Sequence, residues 1–193
     1  MKNEDQILTR LIDACLRQES GAEKALYEHC ADELFTYCLR YCHNSADAED
    51  VFQEGFVHIF EKLGQFEAKG SFMGWCKKIM LNETIKLYGS KRHQLEFPTE
   101  EKKLTNIYYE EEDVIDKIST DELMEIIQQM PTGYRLVFNM SVIDGYDHET
   151  IAQKLDCTVS TSRSQLSKAK KYLQQTLCMI KKAESCTKIK MSN

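Results

Sequence analysis

The chain has 193 residues, enough for one ordinary domain or two small ones, and 42% of them are hydrophobic. That content excludes a disordered chain, while only two prolines, eight glycines and apolar runs of 3.6 period point to an all-α protein. A net charge of −6 argues against a nucleic-acid partner when taken as a single figure, and its distribution along the chain reverses that impression.

Residues 7–17 and 22–41 read as amphipathic helices broken around Ser20-Gly21. A strongly periodic helix then starts at Ser45 or Asp47 and runs to about Leu63. Val51, Phe52, Phe56, Ile59, Phe60 and Leu63 form its apolar face, and Asp47, Asp50, Gln53, Glu54 and Glu61 form its polar one. A loop over residues 65–71 leads to a helix over 72–88, with Phe72, Trp75, Ile79 and Ile85 as candidate core. Residues 94–118 read as an acidic linker, with Pro98, the acidic run at 110–113 and poor periodicity. Helix resumes over 121–129, and Pro131 opens another that stops at Gly145.

Residues 147–173, DHETIAQKLDCTVSTSRSQLSKAKKYL, carry the most information. Asp147 is placed to cap a short helix whose apolar face is Ile151, Ala152 and Leu155. Asp156-Cys157-Thr158 makes a tight turn, Asp156 tolerating a left-handed backbone and Thr158 capping the second helix. That helix directs Val159, Leu166, Ala169 and Leu173 inward and Arg163, Ser164, Gln165, Lys168, Lys170 and Lys171 outward. Ser162 stands where an apolar residue usually packs. This is the layout of a helix-turn-helix, whose second helix lies in the major groove of DNA. A basic tail over residues 181–193 is expected to fray.

The charge map agrees. Residues 154–190 hold nine Lys or Arg against two acids, and residues 77–93 hold Lys77, Lys78, Lys86, Lys91 and Arg92 against Glu83 alone. Residues 47–67 and 96–117 are acidic, six acids against Lys62 and eight against three lysines. Two basic patches between acidic segments fit two contacts with a polyanion and separate contacts with something else. Eight cysteines include no Cys-x-x-Cys pair. Even Cys38, Cys42 and His43 read as part of a reduced core rather than a metal site, so neither metal nor cofactor is expected. No apolar stretch has membrane-spanning length and MKNEDQ lacks a signal-peptide core, so a cytoplasmic protein without direct membrane insertion is expected.

Taken together, these motifs resemble the extracytoplasmic-function group of bacterial RNA polymerase sigma factors, in the sigma-70 family, over residues 8–175. DAEDVFQEGFVHIFEKLGQF (47–66) is similar to the family's D-A-E-D-[VL]-x-Q-E-x-F helix, and FMGWCKKIMLN (72–82) to F-x-x-W-[LC]-x-x-I-x-x-N. MPTGYRLVF, Gly145, IAQKL and TSRSQLSKAK follow L-P-x-x-x-R-x-V-F, G, I-A-x-x-L and T-V-K-S-R-L-x-R-A-R in order.

The resemblance implies a region 2-like domain over 1–93, the linker over 94–118 and a region 4-like domain over 119–180. It implies that Asp47, Asp50, Gln53 and Glu54 dock on the β′ coiled coil of core polymerase, with the β flap as a second contact. Phe66 and Asn82 would border a pocket for a base flipped from the −10 promoter element. Lys69, Gly70 and Ser71 would lie in the loop that selects that base, and Lys78 and Lys86 on the phosphate-binding rim. An aromatic wall, an amide and a basic rim suit single-stranded DNA, because stacking accepts any base while an amide reads an edge. Lys86 departs from the family, where an acid or amide is common. The recognition helix would read the −35 element, Arg163, Ser164 and Lys168 reaching bases or nearby phosphates, Ser160 and Thr161 the backbone at the helix start, and Gln165 either a base or a phosphate. An anti-sigma protein, often membrane-bound in the family, is the implied regulator.

Two other classes compete. A stand-alone helix-turn-helix regulator with an N-terminal sensing or dimerisation domain would require palindromic half-sites. A metal-dependent helical enzyme would require inward Glu-x-x-His pairs, which the chain does not carry.

Overall fold

The computed structural model describes residues 2–90 and 119–190, which belong to two compact units divided between Ser90 and Lys91. Every regular element in them is helical. The expected linker over 94–118, with Lys91 and Arg92, lies outside the described residues.

The N-terminal unit contains α1 (Lys2–Leu16), α2 (Ala22–Tyr41), α3 (Ser45–Lys62) and α4 (Phe72–Ser90). Gly21, at φ 79°, turns the chain between α1 and α2, a backbone conformation that costs glycine little. Asn44, one residue before the expected start, caps α3: its side chain accepts the Asp47 backbone N–H at 2.7 Å. α2, α3 and α4 pack mutually and α1 lies on α2. Their shared core is Leu26, Leu34, Tyr41, Val51, Phe52, Phe56, Ile59, Cys76, Met80 and Leu81. A row of rings runs along α2 and α3, with Tyr27 at 4.7 Å from Phe56 and Phe52 at 4.9 Å from the same ring. Such aromatic pairs, one tilted and one edge-on, add about 0.5–1.5 kcal/mol beyond the area they bury. Gly55, in mid-helix, lets α4 approach α3, since a Cβ there would overlap the buried Met80 thioether.

The C-terminal unit contains α5 (Thr120–Gln129), α6 (Thr132–Phe138), a π-helical turn (Asn139–Ile143), α7 (His148–Leu155) and α8 (Val159–Lys190). Ser119 and Glu122 form a reciprocal capping box at the start of α5. The fully buried Arg135 donates through one nitrogen to the Gln128 and Met130 carbonyls at 2.9 and 2.8 Å. It thereby satisfies carbonyls that the end of α5 leaves without helical partners, with positive charge at the negative end of the helix dipole. Ile127, Met130, Tyr134, Phe138 and Ala169 form a core cluster on which Leu123, Leu166, Tyr172 and Leu173 pack. The backbone of α8 is helical to Lys190, into the segment read as a basic tail. That segment contains neither glycine nor proline and is rich in good helix formers.

Candidate nucleic-acid and polymerase interfaces

The helix-turn-helix is built as its sequence pattern requires. Asp147 accepts the Thr150 N–H at 2.6 Å, and Asp156 takes the left-handed conformation at φ 50°, ψ 50°. Thr158 then accepts the Thr161 N–H at 3.0 Å, opening α8. Ile151, Ala152 and Leu155 are buried, so α7 packs against α8 on its apolar side.

On α8, Ser160, Arg163 and Ser164 are exposed and Lys168 is half-buried, which leaves one polar face outward. Thr161 is half-buried, and its hydroxyl shares a 2.8 Å hydrogen bond with that of Thr158. Gln165 does not belong to this face. It is 2% exposed, with no hydrogen-bond partner for its side-chain oxygen, because Ser162, Gln165, Leu166 and Ala169 share the inward side at helical spacing. Ser162 is wholly buried and shares a 2.8 Å hydrogen bond with His148 Nδ1. Glu149, the next residue, stands 3.9 Å from Arg163. His148 and Glu149 thus lie beside the recognition helix, a placement that polarity alone does not single out. Only the register between the two helices reveals them.

In the N-terminal unit, Phe66, Phe72 and Trp75 form one aromatic group with centroids 5.2–5.6 Å apart. Phe72 is buried, whereas Phe66 and Trp75 are half-exposed. The loop from Glu67 to Ser71 is exposed, with Ala68 at φ 54°. Two of its residues already have local work. Lys69 pairs with Glu67, and the Ser71 hydroxyl accepts the Gly74 N–H at 3.0 Å at the start of α4.

Trp75, Lys78, Asn82 and Lys86 follow at i, i+3, i+7 and i+11 and so share one stripe of α4. Asn82 is about 10 Å along the helix axis from Trp75, so amide and aromatic wall sit on one stripe without touching. Lys78 and Asn82 are exposed, and Lys86 is held 3.1 Å from Glu83. Lys77 is committed elsewhere, 2.6 Å from Glu33 and over the Tyr37 ring.

The acidic face of α3 is also displayed. Asp50, Gln53 and Glu54 are exposed, and Val57, 52% exposed, continues the same face as an unanticipated apolar member. Asp47 differs from these. It is half-buried and accepts the Tyr88 hydroxyl at 3.1 Å. Cys15, Cys30, Cys38, Cys42 and Cys76 are buried in the N-terminal unit. Burial pushes the Cys30 thiol up to about 11 and that of Cys38 to about 12, well away from the range of a reactive thiolate.

Comparison with known proteins bears on both units. The family model described as Sigma-70 region 2 matches residues 26–94, and that for Sigma-70, region 4 matches residues 120–173. The RNA polymerase sigma-H factor of Pseudomonas aeruginosa is 23% identical over 182 residues, covering 87% of this chain and 92% of that protein. The ECF RNA polymerase sigma-E factor of Escherichia coli K12 is 27% identical over 186 residues, covering 88% and 92%. In fold, the chain is similar to the sigma factor RpoE of Bartonella quintana, solved with the anti-sigma factor NepR. That likeness has a TM-score of 0.50 and 17% identity over 83% of this chain and 98% of that one. With two sigma regions matched in order, and with sigma factors as relatives over most of its length, the chain belongs to the sigma-70 family, in its extracytoplasmic-function group, and acts as an RNA polymerase sigma factor in transcription initiation.

Proposed function

We propose that the three displayed surfaces divide the work of a non-enzymatic specificity subunit acting in the cytoplasm. On α8, Arg163 and Ser164 reach bases of the −35 element and Lys168 a nearby phosphate, with Ser160 and Thr161 against the backbone at the start of the helix. Gln165, being buried, has no direct part in this reading. On the N-terminal unit, Phe66, the loop with Lys69, Gly70 and Ser71, and the stripe of Lys78, Asn82 and Lys86 engage the opened −10 strand. Asp50, Gln53 and Glu54 dock on the β′ coiled coil of core polymerase, with Asp47 mainly a structural support. The β flap is the proposed contact of the C-terminal unit, and an anti-sigma protein the proposed regulator.

The observation that carries this reading is the division of α8. Its basic polar side faces solvent, while its other side completes the core. A stand-alone regulator explains such a helix equally well but gives no account of the region 2 match. The test is run-off transcription by purified core polymerase on DNA from upstream of the chain's own coding sequence. Specific transcripts should require the chain. Arg163→Ala should relax one −35 position by about 1–3 kcal/mol, while Lys168→Ala should weaken all promoters alike and lower the salt slope by about one. Failure to associate with core polymerase would refute the assignment of these surfaces.

A further inference from the structure

We infer that His148 and Glu149 are positioning residues that set how sharply the recognition helix discriminates among −35 sequences. The inference rests on the proposed role of Arg163 in reading a base. The first turn of α7 makes two consecutive reaches across to α8, each spanning fourteen residues of sequence. His148 Nδ1 meets Ser162 Oγ at 2.8 Å, and Glu149 Oε1 lies 3.9 Å from Arg163 Nη2. The turn that carries both is itself fixed, since Asp147 accepts the Thr150 N–H at 2.6 Å.

The two reaches do different things. Ser162 is wholly buried, so its bond to His148 is sheltered from water and directional. An apolar side chain at that position would still pack, but would offer no bond directed at one atom of α7. To the packing of Leu166 and Ala169, the hydrogen bond therefore adds a directional constraint on α8 beside Arg163. Sites that recognise by geometry need such support, since a loose supporting contact shifts the reading group by a large part of an ångström.

The outer reach is solvent-exposed, with side chains 65% and 70% accessible, and so contributes little to stability. Its contribution is orientation. A guanidinium holds its donors in a rigid fork. A carboxylate near one edge turns the remaining donors toward the groove, where a guanine offers two acceptors.

The test is run-off transcription by holoenzyme on a promoter and its set of single −35 substitutions, with melting temperatures of each variant taken in parallel. Glu149→Gln should narrow discrimination at the base pair read by Arg163 by about five- to tenfold, the lower part of what one bidentate base contact contributes. Melting temperature and the other positions should be unchanged. His148→Ala and Ser162→Ala should each lower discrimination at several positions, with the double variant no worse than either single one. His148→Asn, whose amide reaches the place of Nδ1, should restore it. Loss of discrimination in Arg163→Ala but not in Glu149→Gln would overturn the outer reach. A change only in melting temperature or in overall output for His148→Ala would overturn the inner one. Undiminished discrimination in Arg163→Ala would instead refute the base-reading role on which both depend.

Discussion

The Tyr88 hydroxyl lies between His43 and Asp47, accepting the His43 backbone N–H at 2.8 Å and donating to the Asp47 carboxylate at 3.1 Å. Through this one phenol, the last turns of α4 hold the segment that ends α2 and starts α3. Asp47 thus has a structural duty at the edge of the acidic face on which its exposed neighbours Asp50, Gln53 and Glu54 stand. Tyr88→Phe removes the relay without changing the ring. It should cost about 1–2 kcal/mol, the loss of partly buried hydrogen bonds. A lower urea midpoint at unchanged slope would register it. An unchanged midpoint would show the relay to be energetically idle.

Gln165 is a second test of the buried side of α8. Its side-chain oxygen is enclosed without a partner, and such an atom carries a desolvation cost of about 1–3 kcal/mol. Methionine has similar length and volume without the amide. Gln165→Met should therefore leave thermal stability equal or higher, with the −35 preference intact. Relaxed preference at a single −35 base pair would restore Gln165 to the reading face.

Acid should weaken the C-terminal unit through its helix caps. The Thr150 backbone N–H and hydroxyl hold the Asp147 carboxyl below the ordinary value of 3.8, and the Ser119 N–H and hydroxyl hold Glu122 below 4.5. A carboxyl depressed in the folded state stabilises fully above its unfolded value, and that stability is lost as pH falls through the folded one. The caps should thus hold at pH 5 and above and weaken below about pH 4. Asp147→Asn keeps a capping oxygen without the titration. Its melting temperature should fall less than that of the unsubstituted chain between pH 5 and pH 3, and parallel curves would exclude the cap as a source of acid sensitivity.

Thiol labelling should track burial. Cys30, Cys38 and Cys76 are buried and their thiols are raised chiefly by desolvation, whereas Cys157 and Cys178 are half-buried. Cys157 is also raised, by partial burial and then by Asp156. Among the described cysteines, iodoacetamide at pH 8 should modify Cys178 before Cys157, and reach Cys30, Cys38 and Cys76 only on unfolding. Peptide mass mapping would check the order, and early labelling of Cys30 or Cys76 would contradict the packing of α2 against α4.

Helix positions and the helix-turn-helix are legible in the sequence because caps, turn residues and apolar spacing act locally. Asp147, Asp156 and Thr158 each do in the structure what their side-chain chemistry favours. Gln165 is misplaced when its polarity is weighed above its register. At i+3 from Ser162 and i−4 from Ala169 it has to face inward, whatever its chemistry. Gly55 carries a signal of the same kind, a mid-helix glycine marking close approach, but the partner, Met80, lies on another helix and no local rule names it. Tyr88 and Asp47, 41 residues apart, are beyond local reach for the same reason. α3 starts at Ser45, one of the two starts its sequence offers, and the extent of α8 differs from expectation only at the element's end, where local preferences are weakest.

Continuity of α8 has a consequence of its own. Leu166, Ala169 and Leu173 knit this helix into the interior, while Arg163 and Ser164, within the same turns, look outward. Reader and keystone are one rod. Whatever loosens the interior therefore silences the reader in the same event.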